Sequence, residues 1–478
     1  MHLLKKLFLL FFASLLVYSC FEDFDDRGAY ASEINDFVWK GMNLMYLYKQ
    51  EISDLSNNRF NNSVEYASYL NSFTQPEDLF ESLIYERQNI DKYSYIVDNY
   101  AQLQQSQQGI SILNGMEFGL AYVPNSSFNI YGFVRYVHPQ SPADENGIKR
   151  GDIFIGINNS TLNTDNYLEL LSQESYSVNF ADYLDNNTET NNDDVIVSNE
   201  IDIHLTKIFL EKNPIFFSEI FTYNQSKIGY IMYNRFLTNY ENNLNSIFSE
   251  FKSNNIQNLI LDLRYNPGGA INNAVYLSSL ITGQFNEEIF CSDQWNNEIQ
   301  EFWLNNNPDN LIRRFHTYEN SLFLNKIYIL TSRSTASASE LVINSLNPYI
   351  DVIHIGETTY GKYQGSLTLY DSENFSVENI NPTHNYALQP LVFKILNAVG
   401  NTDYYDGLQP DYLLQEFPAN MGEIGDESEP LLNFTLDLIN SKEITSIRSS
   451  SVNFLDDNFR FEQLNKEMYI EWYVKKYQ

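Results

Sequence analysis

Two cysteines, Cys20 and Cys291, and six histidines are all that 478 residues offer a soft metal ion. Neither cysteine belongs to a Cys-x-x-Cys and no histidine pair has ligand spacing, so a zinc framework and a disulfide-stapled fold are excluded, and neither a metal nor a cofactor is expected. Basic residues are scarce as well. With 29 Lys and Arg against 62 Asp and Glu, the formal charge of −33 argues against nucleic acid as a general partner. Long apolar runs are missing too. The longest near the start, Leu7–Val17, is too short to favour a membrane-spanning helix.

What is present is ample apolar material, 43% hydrophobic and 15% aromatic, enough for folded cores despite the acidic balance. Three segments within it carry chemistry. Ser334–Glu340 reads S-T-A-S-A-S-E between the apolar runs Ile327–Leu330 and Leu341–Ile343, which predicts a strand turning into a helix with the Ser337 hydroxyl at the turn. A helix N-terminus gathers backbone N–H groups there. Lys362 ends the following E-T-T-Y-G-K, beyond the strand-like Ile353–Gly356. A lysine takes a proton from a serine only when held neutral near pH 7, and burial favours that state. Third, Leu259–Ala270 reads L-I-L-D-L-R-Y-N-P-G-G-A, an apolar strand running through Gly-Gly into a helix. Such a turn exposes amides to a developing oxyanion, and Gly268 or Gly269, with Ala338 as second donor, are the candidates.

L-D-L-R-x-N-x-G-G, A-S-A-S-E and T-Y-G-K in this order closely resemble the C-terminal processing peptidases, also called tail-specific serine proteases. The resemblance implies Ser337 as nucleophile and Lys362 as general base, a Ser-Lys variant of triad logic. It also implies an α/β core of the crotonase kind, within an α+β multidomain chain. Family members commonly carry a glutamine four residues after the lysine. That position is Ser366 here and the nearest glutamine is Gln364, so the third member of the site stays open between them. A histidine mechanism is the lesser reading: His354 suits a strand residue with a satisfied hydrogen bond, and His138, His204, His316 and His384 have no acid at a telling spacing.

Upstream, Met1–Cys20 has Lys5 and Lys6, an apolar stretch and a terminal cysteine. It resembles a bacterial lipoprotein signal over 1–19, with Cys20 the lipidated residue and 20–29 an acidic tether. Plain secretion with a free Cys20 is the alternative. Residues 30–108 carry helical patterns, with Phe37, Val38 and Met42 on one face, and predict a small helical domain. Residues 109–208 contain S-P-A-D-E-N-G-I-K-R-G-D and match a PDZ pattern, with Gly119, Leu120 and Ala121 in the expected carboxylate loop, Lys149 and Arg150 as exposed turn charges, and Ser172–Glu200 as an exposed insertion loop. The alternating strands and helices of 209–440 form the protease core, and 441–478 is an extension without a motif. Cys291 suits a small strand residue.

The expected function is therefore an envelope serine endopeptidase, lipid-anchored at the periplasmic face or the cell surface, acting on proteins or peptides with unstructured tails. The alternative is a non-catalytic lipoprotein that binds peptides or hydrophobic ligands on the same fold.

Overall fold

A computed structural model describes residues 31–186, 188, 191–223, 226–402, 404–441, 452–455 and 468–470. The signal, Cys20 and the tether lie outside the described residues. Among the described residues no helix is long and apolar enough to cross a membrane.

The strand at Asn258–Asp262 is apolar at successive positions because both of its faces are covered, as a central parallel strand requires. Leu259 and Leu261 face one core while Ile260 faces another. It sits third in a six-stranded sheet ordered Ile215–Tyr223, Ser226–Tyr233, Asn258–Asp262, Lys326–Thr331, Asp351–Gly356 and Tyr412–Leu413. The first pair is an antiparallel hairpin; every later neighbour is parallel. Helices Glu241–Ser253, Ile271–Ile281 and Ala338–Leu346 follow the second, third and fourth strands. This is the expected α/β core, with each loop of interest at the carboxyl end of a strand.

A second six-stranded sheet runs Gly269–Ala270, Met468–Ile470, Gln364–Leu367, Leu391–Asn397, Ile289–Trp295 and Ile312–Arg314. Cys291 is fully buried on one of its strands. The N-terminal helices Glu33–Met45, Ser63–Leu70 and Pro76–Ser82 form as expected, and their buried side chains run on into the core of the protease part. Phe37, Val38 and Met42 of the helix Glu33–Met45 join one cluster with Leu369, Leu388 and Phe393 of the protease part. Strand Tyr95–Val97 also pairs with Ala387–Gln389. An amphipathic stripe shows that a helix has a buried face, not whose side chains cover it.

The PDZ unit is a sheet of Met116–Tyr122, Ile130–Val137, Ile153–Ile157, Ser175–Leu184 and Val195–Thr206. It hangs from a two-stranded stalk in which Ile110–Leu113 pairs with Ile208–Glu211. Two expectations fail here. Ser172–Glu200 is mostly a hairpin rather than a loop, with Tyr176, Val178 and Phe180 alternating inward. Its partner strand, Val195–Thr206, is largely exposed at the sheet edge, and the run D-N-N-T-E-T-N-N-D-D that reads as loop lies in the connection before it. Gly119, Leu120 and Ala121 likewise lie within a strand, opposite Phe133, Gly132 and Tyr131.

Candidate active site

Three turns meet at the carboxyl ends of the central strands. The Ser332–Ser339 segment is stitched to the glycine turn by backbone and hydroxyl bonds: Thr335 Oγ1 donates to the Leu263 carbonyl at 2.8 Å, Ala336 N to that of Asn266 at 3.1 Å, and Ser339 Oγ to the same oxygen at 3.0 Å. Tyr360 N donates to the Thr335 carbonyl at 2.9 Å, which brings in the lysine loop.

Ser337 stands immediately before the helix Ala338–Leu346, at φ 61° and ψ −115°. A non-glycine residue in that region is strained, and such strain is held in place by the surroundings. Its side chain is buried, and Oγ has no hydrogen-bond partner among the described residues. Ala338 opens the helix, where an amide has no intrahelical acceptor.

Glu340 is what joins the serine turn to the lysine loop. One carboxylate oxygen accepts from Ser337 N at 2.7 Å and Lys362 N at 2.9 Å; the other accepts from Gly361 N and Thr359 Oγ1, each at 2.6 Å. Burial pushes this carboxyl up and the four donors oppose the shift, leaving it at about 7. Lys362 is 2% exposed, and its Nζ lies 4.7 Å from the centre of the Tyr93 ring. Gly361 and Gly269 need their glycines: at φ 96° and 137°, a Cβ would meet the Tyr405 carbonyl oxygen at 2.1 Å and that of Phe236 at 2.3 Å.

Of the oxyanion candidates, Gly268 N already donates to Asn266 Oδ1 at 2.9 Å. Gly269 and Ala270 pair with Met468 and Tyr469. Gln364 Nε2 donates to Tyr48 OH at 3.2 Å while its buried Oε1 has no hydrogen-bond partner among the described residues. Ser366 Oγ donates to the Met468 carbonyl at 3.2 Å and accepts from Gln389 Nε2 at 2.9 Å. His354, buried and pushed down to about 4 by desolvation, bonds Thr331 Oγ1 at 2.6 Å as a strand residue.

A cleft of about 1450 Å³ opens between the N-terminal helices, the PDZ unit and the core, and Tyr93, Tyr360, Ser334, Pro267 and Tyr265 form its inner wall. Tyr265 carries a further connection. Arg150 was expected as an exposed charge, yet its side chain is 7% exposed and reaches Tyr265 OH and Glu416 Oε1, each at 2.6 Å. It also donates to the Arg135 carbonyl at 2.7 Å. The buried Arg264, Asp262 and Glu429 continue the cluster. Burial raises the Glu416 carboxyl, but Arg150 and Arg264 outweigh it and hold the group down to about 2. A turn motif in the sequence does not reveal that a second unit packs on it. Arg150→Met should cost about 3 kcal/mol in urea unfolding, because the buried Glu416 loses one of the two guanidiniums paired with it. A change within about 0.5 kcal/mol would contradict this reading.

Sequence reasoning missed Glu340, Tyr93 and Tyr48. Only Glu340 left a signal, the Ser-x-x-Glu spacing of a capping box.

Residues 227–412 match peptidase family S41, residues 33–95 its N-terminal domain and residues 133–179 a PDZ domain. The chain belongs to peptidase family S41. Among relatives, a carboxyl-terminal-processing protease of Picosynechococcus sp. is 22% identical over 246 residues, covering 50% of this chain and 51% of that one. The chloroplastic carboxyl-terminal-processing peptidase 2 of Arabidopsis thaliana is 27% identical over 254 residues, covering 50% and 44%. The S41 chain thus spans about half the length of these curated relatives. A crystal structure designated an S41 protease from Bacteroides fragilis NCTC 9343 shares the fold at TM-score 0.65 and 23% identity, covering 86% of this chain and 98% of that one.

Proposed function

We propose that this S41 chain is a serine endopeptidase that cuts exposed C-terminal or unstructured segments of envelope proteins. The observation that carries the reading is the Glu340 carboxylate accepting from both Ser337 N and Lys362 N, which ties nucleophile and base to one anchor. Lys362, neutral, takes the Ser337 hydroxyl proton as Oγ bonds to the peptide carbonyl carbon. Amides from Gly269 and Ala338 receive the oxyanion, since that of Gly268 already serves Asn266. When the C–N bond breaks, the Lys362 ammonium returns the proton to the leaving amine, and water then releases the acyl group by the same relay. Gln364, with its unfilled Oε1, fits an orienting role toward the amine better than Ser366, whose hydroxyl already serves Met468 and Gln389.

In this reading the protein is held on the bacterial envelope by lipid on Cys20, and Cys20→Ser releases it from membranes with activity intact. Continued anchorage of that variant would contradict lipidation. The test of the activity is hydrolysis of an unfolded model protein with an apolar C-terminal tail. The native chain cuts it and the Ser337→Ala and Lys362→Ala variants do not; cutting that survives Ser337→Ala sinks the proposal.

A further inference from the structure

The active serine is sealed, and part of what covers its surroundings is the chain's own C-terminal region. Residues 452–455 lie along the free edge of the PDZ strand Met116–Tyr122. Tyr122 N donates to the Asn453 carbonyl at 2.9 Å, Leu455 N donates to the Leu120 carbonyl at 3.0 Å, and Ala121 faces Phe454 in an antiparallel bridge. Leu455 enters the PDZ core beside Met116, Leu120 and Phe154. Phe454 lies 5.6 Å from the Phe133 ring, and the guanidinium of Arg333, a residue of the serine loop, sits 5.3 Å from its centre. Main-chain bonds along one strand with side chains in pockets are how an extended peptide adds to a sheet edge.

Residues Met468–Ile470 repeat the arrangement at the candidate site. They run parallel to Gly269–Ala270 on one side and to Ser366–Leu367 on the other, with Gly269 opposite Met468 and Ser366 opposite Tyr469. The strand therefore fills the space between the glycine turn and the lysine strand, the two elements a substrate backbone would lie between. Met468 and Tyr469 are fully buried there.

We infer that residues 452–455 and 468–470 are a resident ligand of the enzyme's own two peptide-binding edges, which an incoming substrate tail displaces. This rests on the proposed peptidase reading. The class of peptide the edges take follows from the occupant: an extended segment with an aromatic-aliphatic pair, as in Phe454-Leu455, followed by a second apolar pair, as in Met468-Tyr469. A tethered occupant competes at an effective concentration on the order of millimolar, so weak free peptides are excluded while tails that fit both edges enter.

The test is peptide binding, read by fluorescence anisotropy in the Ser337→Ala background so that catalysis plays no part. The probe is a labelled peptide of residues 450–471. The full chain is compared with full-length Phe454→Asp and with a full-length Ala121→Cys/Phe454→Cys pair. Phe454→Asp is expected to bind the probe at least tenfold more tightly than the unaltered tail. The cysteine pair is expected to bind it less when oxidised and to recover on reduction. Equal binding in the full chain and in every variant overturns the inference. So does collapse of the fold in Phe454→Asp together with redox-insensitive binding in the cysteine pair, which marks an integral strand. Failure of the peptidase reading shows separately, as tail cleavage that does not depend on Ser337.

Discussion

Lys362→Arg lowers kcat/KM for an unfolded tailed substrate by about 10³-fold or more, because guanidinium stays protonated and accepts nothing from Ser337. Ser337→Ala loses at least as much, and the double variant loses no more than the greater single, as expected of groups acting as a unit. An arginine variant of native activity would remove Lys362 from the role of base.

Glu340→Gln has the second largest expected effect, about 10²-fold or more in kcat/KM with KM little changed. All four acceptor positions of the carboxylate are taken by donors, three of them backbone amides. An amide in its place sets an NH₂ against at least one backbone N–H, whichever way it is turned. That separates the Ser337 turn from the lysine loop, and displacements of about an ångström at a reacting pair have costs of this size. A loss that appears only in KM would contradict a positioning role.

The same carboxyl predicts opposite pH trends for stability and rate. Its folded value, about 7, lies above the ordinary 4.5, so the folded state binds the proton more tightly than the unfolded chain does. The stability it contributes is fully present below about pH 4.5 and lost as pH rises through 7, roughly 3 kcal/mol in all. Catalysis needs the ionised form that accepts all four donors, so activity climbs over that range. The melting temperature of the native chain should therefore fall relative to that of Glu340→Gln between pH 5 and 8. Parallel curves would show that the carboxyl does not titrate there.

Much of the core was legible because it is local. Continuous apolar runs ending at Asn-Pro-Gly-Gly and at Ala-Ser-Ala-Ser-Glu report buried parallel strands turning into helices, and the strands Asn258–Asp262 and Lys326–Thr331 with their helices formed within a residue or two of expectation. What was hidden is non-local. Nothing near Glu340 says that it bonds Gly361 and Lys362 across some twenty residues, and nothing near Arg150 says that Glu416 waits on another unit. The hairpin of Ser175–Leu184 and Val195–Thr206 reads as loop because the Asn- and Asp-rich run between its strands dominates the composition of the segment. The C-terminal pairings escape because they too are non-local: the partners of Phe454 and of Met468–Ile470 are Ala121, Gly269–Ala270 and Ser366–Leu367, each distant in sequence.

The most direct test of a Ser337 acyl-enzyme is mass spectrometry of the protein quenched during turnover of a slow peptidyl ester. The account predicts an acyl adduct on the peptide containing Ser337, absent in Ser337→Ala and strongly reduced in Lys362→Arg. An adduct on Ser334 or Ser339, or steady turnover with no adduct on any serine, would contradict it.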